Sequence, residues 1–128
     1  MAQNKSEVAP GLPKQTMTWM YKTQVTSTAD PFIKFTAPVA MTPLALRLSG
    51  TFEFTTGDET YVISLEDDTT KISTNNAAVA AIGYAQLEAT FAAGTRIAKD
   101  SVLEIVLTLG GTTPTLDNLV IVFDYIEG

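Results

Sequence analysis

Few residues in this sequence could carry chemistry. The 128-residue chain contains no His and no Cys, which removes the imidazole and thiolate that zinc sites and most hydrolytic nucleophiles depend on. Carboxylate chemistry remains. Two acidic groups stand out, Asp58-Glu59 and Glu66-Asp67-Asp68, and converging carboxylate oxygens are what a hard cation such as Ca²⁺ requires. Neither group has the calcium-loop spacing of alternating Asp or Asn closed by a distant Glu, so both are read as solvated turns. A carboxylate pair separated by roughly 5 to 10 Å could also hydrolyse a glycosidic bond, but any acidic chain of this size offers such pairs. Trp19 and Tyr21 are two residues apart and so share one side of a strand, where they could present an aromatic platform to a sugar ring. Their companions on that side, Met17 and Val25, favour core packing instead. Gly110-Gly111 leads into Thr112-Thr113-Pro114 with no Lys and no following helix, which is not a phosphate loop. The expectation is a non-enzymatic protein with no catalytic residue, no cofactor and no metal.

The elements that would position these residues are strands. Thr is the commonest residue, with 20 copies, and β-branched and aromatic residues suit a pleated surface. Met17 to Thr26 alternates as a first strand. Ala29-Asp30-Pro31 reads as a turn before a short strand at Phe32 to Thr36, and Pro38 and Pro43 confine the next stretch to a loop or a sheet edge. Leu46, Leu48, Gly50, Phe52 and Phe54 then face one way and Arg47, Ser49, Thr51, Glu53 and Thr55 the other. With Thr56-Gly57-Asp58-Glu59 as connection and Tyr61, Ile63 and Leu65 beyond it, residues 45–66 read as a hairpin. Residues 75–92 admit two readings, a short helix capped by Asn75-Asn76 or a strand, with a strand favoured from Tyr84 through Ala85, Leu87, Ala89 and Phe91. Ala92-Ala93-Gly94-Thr95 is a turn. Leu103, Ile105, Leu107 and Leu109, then Leu119, Ile121, Phe123 and Tyr125, supply the core side of two closing strands. Seven to eight short strands of this kind predict an all-β fold, an antiparallel β-sandwich that is jelly-roll-like, over residues 17–128.

Residues 1–16 have no hydrophobic period and are broken by Pro10, Gly11 and Pro13, so they predict an extended N-terminal arm that needs a neighbour to become ordered. Val8, Pro10, Leu12 and Pro13 are its candidate partner-binding residues. Asn4-Lys5-Ser6 matches the glycosylation tripeptide, but the N-terminus has no apolar segment of an export signal. The longest nearly uninterrupted apolar stretch, 77–85, is far below the roughly 20 residues that span a bilayer. A net charge of −6 with scattered basic residues repels phosphate backbones. Neither nucleic acid nor membrane is expected as a partner, and the chain reads as soluble and made in a cytoplasm. Its mean hydropathy of +0.16 is high for a small soluble monomer and points to an apolar interface.

The C-terminal segment Leu103-Glu104-Ile105-Val106-Leu107-Thr108-Leu109, then Thr112-Thr113-Pro114-Thr115-Leu116-Asp117-Asn118-Leu119, then Val120-Ile121-Val122-Phe123-Asp124-Tyr125 resembles the closing strand pair of jelly-roll modules in bacteriophage tail, baseplate and capsid-associated proteins. The resemblance covers about the last quarter of the chain. It implies a virion structural protein made in the host cytoplasm. Such a protein would be a capsid decoration or cement subunit, or else a tail or baseplate component, forming a homo-oligomer and binding other virion proteins such as major capsid or tail proteins. The rival expectation is a carbohydrate-binding module for glycan or receptor recognition, using Trp19 and Tyr21.

Overall fold

A computed structural model describes residues 13–74 and 83–128. Their strands are β1 (Gln15–Tyr21), β2 (Ala29–Thr36), β3 (Met41–Glu53), β4 (Thr60–Asp67), β5 (Thr70–Lys71), β6 (Gly83–Ala89), β7 (Val102–Gly110) and β8 (Thr115–Glu127). They form two four-stranded sheets, ordered β1-β8-β3-β6 and β2-β7-β4-β5, with every pairing antiparallel. The pairs β1·β8, β2·β7, β3·β6 and β4·β5 are successive rungs of one long ribbon. At its tip, Asp68 and Thr69 both take positive φ, as a two-residue hairpin turn demands. Rolling the ribbon up sets β3 beside β8 and β4 beside β7, which is the jelly-roll form of the expected β-sandwich.

This connectivity corrects two readings. Residues 45–66 are not a hairpin, because β3 and β4 lie in different sheets and β3 is already flanked by β8 and β6. The closing strands β7 and β8 likewise do not pair. The segments 54–59 and 111–114 are arches that cross from one sheet to the other. Strands facing each other across a core carry the same inward alternation as neighbours in a hairpin, so the pattern cannot separate the two cases.

Local boundaries also differ from the expectation. β1 begins at Gln15, paired with Tyr125, so the last two residues assigned to the arm belong to the strand. It ends at Tyr21, and Val25 makes a separate bridge to Leu116. Ala29-Asp30-Pro31 is not a turn but the irregular start of β2, whose register shifts between Ala29 and Ile33. Pro43 lies inside β3, at a place where β6 does not reach and a bulge follows, so no ladder bond is lost on that side. The helix-or-strand question falls largely outside the described residues, and from Gly83 the chain is strand.

The core between the sheets is the inward rows expected from the alternation. Leu46, Leu48, Phe52, Tyr61, Ile63, Leu65, Leu87, Leu103, Ile105, Leu107, Leu119, Ile121 and Phe123 are all buried. Two bulges let long strands keep this face. The extra residue Leu44 sits between Pro43 and Ala45 and is exposed, so Met41 and Leu46 both point inward. Opposite Gly50, Asn118 takes a left-handed φ of 54°, so Leu116 and Leu119 both reach the core. A Cβ on Gly50 would lie 2.9 Å from the Asp117 carbonyl oxygen.

Candidate functional site

β1 and β2 are edge strands of the two sheets, and their inward side chains close one side of the sandwich with aromatic rings. The Trp19 ring meets Phe35 at 5.1 Å between centroids, tilted 49°. The Tyr21 ring meets Phe32 edge-on at 4.9 Å. Phe35 continues inward to Phe123 at 6.3 Å, tying this wall to the core. Trp19, Phe32 and Phe35 remain half-buried, and Tyr21 is 41% exposed. On the outer face of the same strand Met20 is 71% exposed, higher than any other large apolar side chain among the described residues.

The two rings expected to form a glycan platform therefore do share one side, but each is engaged by a Phe of β2. Neither Phe32 nor Phe35 was singled out from the sequence, because nothing local to Trp19 indicates which strand of the opposite sheet will face it. Pro13 is exposed and stands just before β1. Val8, Pro10 and Leu12 lie outside the described residues.

The acidic groups separate into different roles. Asp58 and Glu59 fasten the two arches together. Glu59 accepts the hydroxyls of Thr56 at 2.6 Å and Thr113 at 2.8 Å and the Gly57 N–H at 3.1 Å. Asp58 accepts the hydroxyl and N–H of Thr112 at 2.7 and 3.1 Å. The hydroxyl of Thr56, followed by other donors, holds both carboxyls at about 2. Tyr61 completes the clasp, donating its hydroxyl to the Glu53 carbonyl and accepting the Thr115 N–H at 2.9 Å.

Glu66 parts from its sequence neighbours. It faces outward and meets Asp30 and Glu104, with carboxylate oxygens of all three within 4.8 Å of one another. Burial, then the charges of Asp30 and Glu104, push the Glu66 carboxyl up. Lys34 approaches Glu104 at 3.8 Å, and Lys71 stands opposite Glu66 in the ladder. These three residues could ligate a hard cation. Finding them from sequence requires the strand register, since Glu66 is opposite Glu104 across β4·β7.

Asp124 is buried on the outer face of the other sheet, where it accepts the Thr16 hydroxyl at 2.8 Å and pairs with Arg47. Burial alone would raise its carboxyl, but the bonds from Thr16 and Arg47 hold it below the ordinary range. Arg47 also approaches Glu88 at 3.7 Å. Thr18, Met20, Ser49, Thr51, Val120 and Val122, outward on the same strands, carry no charge, whereas Glu53 and Asp117 towards one end of the sheet do. No protein-family model matches this chain, and no curated protein matches it either.

Proposed function

We propose that this protein is a non-enzymatic structural subunit of a phage particle, a capsid decoration or cement protein, or else a tail or baseplate component. It binds neighbouring virion subunits through its N-terminal arm and an apolar sheet surface, for which Met20, Val120 and Val122 on the outer face of the β1-β8-β3-β6 sheet are the candidates. The observation carrying this reading is the place where the arm joins the domain. It leads into β1, an edge strand with uncharged residues on both faces, and an extended segment laid along a sheet edge gains main-chain hydrogen bonds. The C-terminal resemblance and the jelly-roll form, common among capsid proteins, point the same way.

The test of class is genomic: capsid, portal or tail genes are expected beside this one, and a neighbourhood of polysaccharide-degrading enzymes would count against the proposal. The test of mechanism is removal of residues 1–12. The shortened chain should keep its fold, and its incorporation into the particle should weaken by well over tenfold, about 1.4 kcal/mol or more of contact energy. Undiminished incorporation would remove the main support. Carbohydrate binding would then lead, drawing on the exposure of Tyr21 beside Trp19. Calorimetric titration with oligosaccharides separates the two, since a sugar binder releases or absorbs heat and a cement protein does not.

A further inference from the structure

Sheet edges are templates for pairing, and soluble proteins guard them with charge, proline, bulges or brevity. Among the described residues, β2 has Pro31, a shifted register and Lys34. β5 is two residues long, and β6 carries Glu88. β1 has none of these devices: its seven residues, Gln15–Tyr21, include no charge and no proline, and their register against β8 is unbroken.

We propose that β1 is a self-association edge, on which two copies pair antiparallel across a two-fold axis and merge their β1-β8-β3-β6 sheets into one. Side-chain parity favours a second copy as occupant. A two-fold register centred on a β1 residue sets odd positions against odd, so Met17, Trp19 and Tyr21 of each copy extend the inner layer of the other. Charge favours it too. Two chains of net charge −6 repel in general, but this edge is uncharged and flanked by cations, Lys14 and Lys22. A register centred on Trp19 sets Trp19 against Trp19, Met17 against Tyr21, and Lys22 against Thr16. The Thr16 hydroxyl donates to the Asp124 carboxylate at 2.8 Å, which Arg47 and Lys14 of the same chain already face, so Lys22 of each copy comes beside an existing cation–carboxylate cluster of the other. Centring on Thr18 would instead oppose Lys14 to Lys22, a like-charge contact. β2 edges the second sheet on the same side, and the Trp19–Phe35 and Tyr21–Phe32 walls of the two copies would close on each other.

This association requires no other protein and stands apart from the particle reading. Sedimentation equilibrium of the full chain at roughly 10–100 µM, above the weak end of the range for such interfaces, is expected to give a dimer. Trp19 is the only tryptophan, so its emission should shift to the blue as concentration rises. In a Thr18→Lys/Met20→Lys variant the dissociation constant should rise at least tenfold, with a melting temperature equal to that of wild type when both are diluted until monomeric, both side chains being exposed. If the double variant melts lower, Met20→Lys alone decides. A monomeric wild type overturns the proposal, and so does a variant that associates as tightly as wild type. Association lost on removing residues 1–12 but kept by the β1 variant would also overturn it, assigning self-association to the arm.

Discussion

Glu59 lies where the two arches meet, and its carboxyl and that of Asp58 sit at about 2 against ordinary values of 4.5 and 3.8. A carboxylate held low in the folded state adds stability above its unfolded value, and that contribution disappears as pH falls through the folded one. Melting temperature is therefore expected to drop between about pH 4.5 and pH 2. Glu59→Gln should melt lower than wild type at neutral pH and lose less on acidification. Circular dichroism melts at stepped pH check this; parallel profiles would show that the clasp does not titrate. In the core, Phe52 is fully buried and meets Tyr61 edge-on at 5.0 Å. Phe52→Ala should cost about 3–5 kcal/mol and the adjacent outward Thr51→Ala within about 0.5 kcal/mol, as measured by urea unfolding.

The arches depend on a glycine backbone in two different ways, which a pair of substitutions separates. Gly111 has φ +93°, and a Cβ there would lie 2.5 Å from the Asp58 carbonyl oxygen. Gly57 has φ +84° with open space around it. Gly111→Ala should cost more than about 1 kcal/mol and exceed Gly57→Ala, because only Gly111 adds a backbone clash to the strained φ. Thermal melts of the two variants give the order. Such relations show where sequence reading stops. The inward rows from Leu46 to Phe54 and from Tyr61 to Leu65 were legible, since period two fixes the face of each residue. Their neighbours were not, because facing and adjacent strands share that period. The clasp between Asp58 and Thr112 spans 54 positions and has no local signal. The Glu66 triad and the Phe partners of Trp19 and Tyr21 likewise depend on register. The bulge at Asn118 was hidden for another reason: its residue type suits a turn and a left-handed bulge equally.

Among the described residues, the strands form a ribbon with one hairpin turn, at Asp68-Thr69, and every other rung joins distant segments. Proteins dominated by non-local pairing fold slowly, since loop closure must come before the contacts that reward it. The outermost rung is the extreme case, with Thr16 bonded to Asp124 across 108 positions. On a ribosome adding about 5–20 residues per second, β1 emerges roughly 5 to 20 s before the strand that will cover its inner edge. During that interval a nascent segment bearing Met17, Trp19, Met20 and Tyr21 lacks its one in-sheet neighbour. Pulse-labelled hydrogen exchange during refolding should find the β1 and β8 amides protected after those of β4 and β5. If so, nascent chains crowded on one message would be exposed to mispairing first at the strand that edges its sheet in the folded chain.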